Sequence, residues 1–254
     1  MIKKNNIYGK IELDNFKRHQ KYIKQNNINL EICLTKSQYF YPYKKGNRLF
    51  SEIAELPVKK ITHLPFFGLD LGCKDSYLMD ISKDIVKSAV WASLEYDCFS
   101  GVFHTTLNPL LPRKSMLKWF DRFSFSLEEI LKTAQENNYT LFLENTYEKD
   151  TSLFKKIFER FDADNLKICL DTAHVFCFSN HKNPDFWLSE LGEKIGHIHV
   201  SDNFGEEDEH LPLGCGSLPY HILIKKLEDL NLSITLENEP EYFEESIKYI
   251  EKYS

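Results

Sequence analysis

Histidine and acidic residues end a series of short apolar segments in this sequence, in a pattern that suits a metal centre. The candidate ligands are His63, His104, Glu144, Asp171, His174, His199, Asp208, His210 and Glu237. Imidazole nitrogens and carboxylate oxygens are donors that suit Zn²⁺ and Mn²⁺. The pattern therefore predicts a site for one to three divalent ions.

The four acidic candidates themselves favour a bound cation. Carboxylates that converge in one cavity would repel one another and lose their hydration, and a divalent ion removes that conflict. Asp171 and His174 can face one cavity from a strand end and the turn after it. Asp208 and His210 are two residues apart and project to the same side if their loop is extended.

Short apolar strands alternate with amphipathic segments along the chain, which is typical of a parallel sheet with crossover helices. The predicted strands are Ile7–Leu13, Ile28–Leu34, Lys60–Phe66, Gly101–Thr105, Thr140–Asn145, Leu166–Thr172, Gly196–Ser201 and Ser233–Glu239. The predicted helices are Phe16–Gln25, Ile81–Tyr96, Ser115–Asn137, Phe154–Phe161, Pro184–Leu191, Leu218–Leu230 and Tyr242–Tyr253.

This alternation predicts an α/β fold, a single (β/α)₈ barrel domain over residues 1–254, in which functional groups gather at the carboxyl ends of the strands. A doubly wound open sheet is the alternative. It is disfavoured because the sequence contains neither of the glycine-rich phosphate loops GxGxxG and GxxxxGK[ST].

Composition narrows the range of partners. The 254 residues carry a net charge of −6, and five of the 32 basic residues are arginine, so nucleic acid is an unfavourable partner. No run approaches the roughly 18 apolar residues of a membrane span. The six scattered cysteines predict reduced, mostly buried thiols in a cytoplasmic protein. We expect a small-molecule substrate; the sequence leaves the oligomeric state open.

Seven motifs together carry a family resemblance across roughly residues 28–240. They are HLP at 63–65, FHT at 103–105, LEN at 143–145, DTAH at 171–174, HVSDN at 199–203, DEHLPLGCG at 208–216 and LEN at 236–238. In order and strand placement they resemble the xylose isomerase-like TIM barrels, which include sugar isomerases and epimerases and the endonuclease IV group.

The two branches of that family imply different ligand sets. In the endonuclease IV branch the resemblance implies three zinc ions. His63, His104 and Glu144 would bind the first, Glu144 would bridge to a second held by Asp171, His199 and Glu237, and the third would lie with His174, Asp208 and His210. The epimerase branch implies one ion on Glu144, Asp171, His199 and Glu237, with Glu144 and Glu237 also acting as the acid–base pair.

Departures from both branches restrict the reaction. Xylose isomerases carry a lysine two residues after the fifth-strand glutamate, whereas Asn145 and Thr146 follow Glu144 here, which argues against that aldose isomerisation. Endonuclease IV enzymes have a basic stretch where this chain has NFGEEDEH, which argues against DNA repair.

Two enzyme hypotheses follow. The first is a metallohydrolase with two or three ions that acts on a small-molecule phosphodiester, nucleotide-like or corrinoid. The alternative is a sugar or sugar-phosphate isomerase or epimerase with one ion and the Glu144/Glu237 pair. A barrel that binds a ligand without catalysis is disfavoured by the intact ligand set.

Further residues receive weaker expectations. Glu31, His197 and Asp202 are candidate substrate contacts; Glu31 is also a candidate support for the ligands or an ordinary strand-end carboxylate, and His197 a candidate core histidine. An aromatic wall over the ligand is expected from Tyr39, Phe40, Tyr41 and Tyr43. Core positions are expected for Phe66, Phe67 and Trp91, and solvent-exposed positions for His19, His181 and His221.

Overall fold

The computed structural model describes residues 2–34 and 48–254, which form a closed barrel of eight parallel strands. The strands are β1 (Ile7–Glu12), β2 (Asn29–Cys33), β3 (Lys60–His63), β4 (Ser100–His104), β5 (Thr140–Glu144), β6 (Leu166–Asp171), β7 (Ile195–Val200) and β8 (Ser233–Leu236). They follow one another around the barrel in chain order, and β1 pairs with β8. The predicted (β/α)₈ fold and its eight strands are confirmed.

Nine α-helices lie within the described residues. They are α1 (Phe16–Asn26), α2 (Arg48–Ala54), α3 (Ser76–Leu94), α4 (Met116–Glu136), α5 (Ser152–Arg160), α6 (Thr172–Phe178), α7 (Pro184–Leu191), α8 (Tyr220–Leu230) and α9 (Phe243–Tyr253). All seven predicted helices are present. The two that the sequence did not predict, α2 and α6, have seven residues each, too short for a helical period to stand out.

The main apolar core lies between the barrel wall and the helices. Large buried side chains such as Trp119, Phe123 and Trp187 fill this layer. Inside the barrel, by contrast, the buried side chains near the carboxyl ends of the strands are polar, as with Glu31 and His199. This division leaves the catalytic end of the barrel free for polar chemistry.

Several burial expectations were wrong. Phe67 is 93% exposed and Trp91 is 42% exposed, so neither belongs to the core. Phe67 projects from a turn closed by the hydrogen bond from Leu69 N to Phe66 O. His19, expected in solvent, is only 9% exposed, because it shares the buried face of α1 with Phe16 and Ile23.

Two other expectations concern the proposed aromatic wall and the state of the cysteines. The proposed aromatic wall of Tyr39, Phe40, Tyr41 and Tyr43 lies outside the described residues. All six cysteines are free thiols, four of them buried. Among the helices that the structure describes, none combines the length and apolar character needed to cross a membrane.

Gly101 of β4 gives a test of the barrel packing. A Cβ at this position would collide with the Tyr139 hydroxyl and lie 2.6 Å from Thr62 Oγ1, and these two groups already share a 2.5 Å hydrogen bond. We expect Gly101→Ala to lower the free energy of unfolding by about 1–3 kcal/mol, as overpacking does. Urea denaturation measures this, with Ser100→Ala as the comparison, because Ser100 is the preceding residue of β4 and its substitution adds no atoms. Equal stability of Gly101→Ala and the parent would contradict this packing.

Candidate metal centre

Four side chains from consecutive strands converge at the mouth of the barrel. Glu144 ends β5, Asp171 ends β6, His199 lies near the end of β7, and Glu237 directly follows β8. Strand register places Asp171 beside His199. Each of the four residues offers a donor atom, and these atoms all lie within 4.8 Å of one another. All four side chains are buried.

His199 lies at the centre of this group. Its Nδ1 is 3.2 Å from Glu237 Oε1, 3.5 Å from Glu144 Oε1 and 4.0 Å from Asp171 Oδ2. We call Glu144, Asp171, His199 and Glu237 the four-residue centre.

The four-residue centre fits a divalent cation. Within the described residues, Glu144 Oε2, Asp171 Oδ2 and His199 Nδ1 are buried with no hydrogen-bond partner, although a buried polar atom normally has one. Burial raises the pKa of the Asp171 carboxyl well above its usual range, because the nearby His174 does not offset burial together with the charges of Glu237, Glu144 and Asp208. The protein alone therefore does not compensate this carboxylate, and a bound cation would.

A second group shares Glu144. His63 Nε2 and His104 Nε2 lie 3.2 and 3.0 Å from Glu144 Oε2, and 3.3 Å from each other. Burial lowers the pKa of His104 to about 4, so this imidazole is neutral at neutral pH, as a metal ligand must be. The donor atoms of these three residues also lie within 4.8 Å of one another.

A third group lies above Asp171, towards the loop after β7. Asp208 Oδ2 lies 3.1 Å from His174 Nε2 and 2.7 Å from His210 Nε2. The Nδ1 atoms of these histidines lie within hydrogen-bond distance of the Asn145 and Glu237 carbonyl oxygens, respectively. Burial opposes protonation of His210, but its hydrogen bond with Asp208 raises the pKa to about 9. Asp208 and His210 can therefore form an ion pair with each other.

Local structure after β6 positions His174. The Asp171 carboxylate caps α6 by accepting the His174 N–H at 2.7 Å, so one side chain begins the helix and also faces the centre. The side chain of Asn145, which follows Glu144, bonds both the N–H and the carbonyl of Asp171, at 2.8 and 3.0 Å. These bonds fix the ends of β5 and β6 relative to each other.

Lys10 is a member of the site that the sequence did not reveal. Its Nζ lies 2.7 Å from Glu237 Oε1. Burial opposes its charge, but the neighbouring Glu237 keeps the pKa of Lys10 well above its usual range, so the lysine is an ammonium ion. Successive residues of a strand face opposite sides of the sheet, and this alternation along β1 was the available signal. The Cβ position of Gly9 faces Phe243 of α9, so the next residue, Lys10, faces the barrel interior.

The three groups surround one cavity of about 520 Å³. This volume lies within the usual range for small-molecule sites, roughly 300–1,000 Å³. Its lining combines Lys10 and candidate metal ligands with apolar side chains that include Phe66 and Phe67. The Phe66 ring stacks on the His104 imidazole, with ring centroids 4.0 Å apart.

Two of the expected substrate contacts, Asp202 and His197, form hydrogen bonds within the protein. Both Asp202 carboxylate oxygens accept backbone N–H groups, from Asn203 and Leu218 on Oδ1 and from Gly214 on Oδ2, so the side chain organises the loop after β7. His197 is fully buried, and its ring bonds the Ser233 and Thr235 hydroxyls, as a core histidine does. Glu31 is fully buried and contacts His199.

The chain belongs to the xylose isomerase-like TIM barrel family, whose sequence profile matches residues 30–253. It is similar to the Methanocaldococcus jannaschii protein MJ1311, with 25% identity over 221 residues, 82% of this chain and 73% of that one. The protein MJ1614 of the same organism is 28% identical over 178 residues, 68% of each chain.

Solved structures share the fold. The TTHB071 protein from Thermus thermophilus, soaked with ZnCl₂, has a TM-score of 0.86 at 22% identity and covers 98% of both chains. A D-tagatose 3-epimerase-like protein has a TM-score of 0.83 at 22% identity, over 97% of this chain and 96% of that one. The 3-keto-D-glucoside 4-epimerase from E. coli has a TM-score of 0.74 at 15% identity, over 97% and 99%.

Proposed function

We propose that this protein is a divalent-metal-dependent isomerase or epimerase of a sugar or sugar phosphate. The observation that carries the proposal is the four-residue centre, in which a histidine and three carboxylates meet at a cavity sized for a small molecule. The histidine and two of the carboxylates, Glu144 and Asp171, have buried atoms without hydrogen-bond partners. Structural similarity to a D-tagatose 3-epimerase-like protein and to a 3-keto-D-glucoside 4-epimerase supports this hypothesis over the hydrolase hypothesis.

Zn²⁺ and Mn²⁺ both suit this mixture of nitrogen and oxygen donors. When bound, the ion supplies a Lewis acid that polarises the carbonyl and hydroxyl oxygens of a sugar. The proposed ligands are Glu144, Asp171, His199 and Glu237.

Glu144 and Glu237 are the proposed acid–base pair. They contact His199 Nδ1 from β5 and from the end of β8, so they can flank a substrate carbon above the imidazole. Burial disfavours both charges, but His104 and His199 beside Glu144, and Lys10 and His199 beside Glu237, hold their pKa values well below the usual range. Both are therefore carboxylates, and one can accept the proton of the carbon next to the carbonyl while the other, once protonated, returns one.

The direct test is hydrogen exchange at carbon. The Mn²⁺-loaded protein is incubated in D₂O with ketohexoses and ketohexose phosphates, and deuterium incorporation is followed by NMR. Incorporation at the carbon next to the carbonyl, together with appearance of the epimer or aldose, supports the proposal. Absence of exchange with the whole panel, in protein shown to hold the ion, contradicts it.

A metallohydrolase remains the second candidate, because seven of the nine predicted ligands line the same cavity, and the other two, Asp171 and His199, lie within ligand distance of Glu144 and Glu237. Its substrate would be a small-molecule phosphodiester, and it would need two or three ions on the groups around His63 and Asp208. Hydrolysis of bis(p-nitrophenyl) phosphate by the Zn²⁺-loaded protein, with two or three zinc ions per chain by elemental analysis, would favour it.

The Asp208→Ala/His210→Ala double variant separates the two candidates. We expect it to keep at least about a tenth of the isomerase or epimerase rate, because the ligands of the proposed ion remain. A two- or three-ion hydrolase should instead lose about 100-fold or more, as loss of a direct ligand exceeds the 10- to 100-fold typical for outer contacts. Initial rates at saturating metal measure this, with Glu206→Ala in the same exposed loop as the control.

A further inference from the structure

Glu31 is a buried charge that the proposed reaction does not use. It lies in β2, its side chain is fully buried beneath the cavity, and Oε2 lies 3.0 Å from His199 Nε2. Such a position excludes direct contact with a substrate in the cavity. It places a carboxylate on the far side of the imidazole whose Nδ1 faces Glu144 and Glu237.

The chemistry of this contact fixes the state of the imidazole. An ionised carboxylate only accepts hydrogen bonds, so His199 Nε2 must carry the hydrogen and donate it to Glu31. Glu31 Oε2 lies within hydrogen-bond distance of two donors, His199 Nε2 at 3.0 Å and the Thr235 hydroxyl at 2.6 Å, which is the environment of a carboxylate acceptor. A metal ligand must be a neutral imidazole, so with the hydrogen on Nε2 the lone pair offered to an ion is that of Nδ1, which is buried without a hydrogen-bond partner.

A chain of hydrogen bonds holds Glu31 in turn. The Thr235 hydroxyl lies 2.6 Å from Glu31 Oε2 and must donate to it, so Thr235 Oγ1 accepts from His197 Nε2 at 2.8 Å. With its Nε2 hydrogen directed to Thr235, His197 can accept at Nδ1 from the Ser233 hydroxyl, which lies 2.6 Å away. All the hydrogen bonds in this series are then donated in the same direction, from Ser233 through His197 and Thr235 to Glu31.

We infer that Glu31 is a positioning residue that locks His199 in the Nε2–H tautomer and so makes Nδ1 the metal-binding atom. This inference rests on the metal centre of the proposed function. It also explains why Ser233, His197 and Thr235 form an ordered series of hydrogen bonds beneath the site. Outer contacts of this kind typically contribute about 10- to 100-fold to metal affinity.

The test measures zinc binding and the state of the imidazole, neither of which depends on catalysis. Titration calorimetry with Zn²⁺ gives the dissociation constant, and long-range ¹H–¹⁵N NMR of the zinc-loaded protein identifies the bound nitrogen of His199. In the parent protein we expect zinc on Nδ1 and a hydrogen on Nε2. Zinc on Nε2 of His199 in the parent would overturn the inference without any variant.

Two substitutions complete the test. Glu31→Leu removes the acceptor, and we expect the zinc dissociation constant to rise about 10- to 100-fold. Glu31→Gln keeps an acceptor oxygen without the charge, and we expect a smaller rise. Glu148→Gln is the control, because Glu148 is a buried carboxylate that accepts from Thr105 and Thr146 and should leave the constant within about twofold of the parent.

The outcomes distinguish Glu31 from the proposed function. Unchanged zinc affinity and an unchanged His199 spectrum in both Glu31 variants would overturn the role of Glu31 while the metal centre stands. If Glu31→Leu does not fold, the parent spectrum and Glu31→Gln still decide the matter. Zinc binding that depends on Glu31, in a protein that exchanges no sugar hydrogen, would contradict the proposed reaction alone.

Discussion

Glu144→Gln is expected to remove both metal binding and activity. Glu144 belongs to the four-residue centre and to the group with His63 and His104, and its two oxygens face different groups. An amide has one acceptor oxygen and no charge, so it cannot replace a carboxylate that contacts both. Because outer contacts already contribute about 10- to 100-fold, we expect loss of this direct ligand to weaken Mn²⁺ binding by more than about 100-fold.

Calorimetric titration with Mn²⁺ and the D₂O exchange assay measure the two losses. Glu148→Gln is the matched control, because Glu148 is equally buried four residues further on and bonds Thr105 and Thr146 rather than the metal centre. A Glu144→Gln protein that binds Mn²⁺ as tightly as the parent would contradict the assignment of Glu144 as a ligand.

Glu237→Gln is expected to separate proton transfer from metal binding. The amide oxygen of glutamine can still approach a metal ion, but it cannot take a proton from carbon. General acid–base catalysis contributes about 10²- to 10⁴-fold, so hydrogen exchange should fall by about that factor. The Mn²⁺ dissociation constant should rise less than in Glu144→Gln, because Glu237 contacts its neighbours in the centre through Oε1 alone, and one amide oxygen can take that place.

The measurement compares exchange rates at saturating Mn²⁺, so that weaker binding does not enter. Glu239→Gln serves as the control, since this exposed glutamate lies two residues further along the same segment. A Glu237→Gln protein with the parent exchange rate would exclude Glu237 from the acid–base pair.

Sequence periodicity predicted the barrel and the meeting of its ligands because both follow from strand geometry. Carboxyl ends of parallel strands share one end of a barrel, so residues that end β3 to β8 had to gather there. The convergence of Glu144, Asp171, His199 and Glu237 required no knowledge of loop structure. The rest of the site lies in loops and could not be predicted in this way, because loop conformation depends on hydrogen bonds between distant segments.

Asp202 and Phe67 illustrate what the loops decide. Asp202 follows a strand and looked available to a substrate, yet backbone N–H groups of its own loop occupy both oxygens. Phe67 has the side chain of a core residue, but its place in a turn beside the cavity leaves it 93% exposed. Neither the pairing of loop amides nor the direction of a turn follows from local composition.

Lys10 and Glu31 show a second limit. Both are charged residues inside predicted strands. They contact the site only if their face of the strand is the one directed into the barrel. Gly9 packs against Phe243, which fixes that face for β1, but the contact joins residues far apart in the sequence. The role of Glu31 needs still more detail, since it depends on which nitrogen of His199 carries the hydrogen.

Anomalous X-ray diffraction from Mn²⁺-loaded crystals tests the central claim most directly. A peak within bonding distance of Glu144, Asp171, Glu237 and His199 Nδ1 is the predicted result. The absence of a peak among these four residues, in crystals where Mn²⁺ occupies only the His174, Asp208 and His210 group or no site at all, would contradict it.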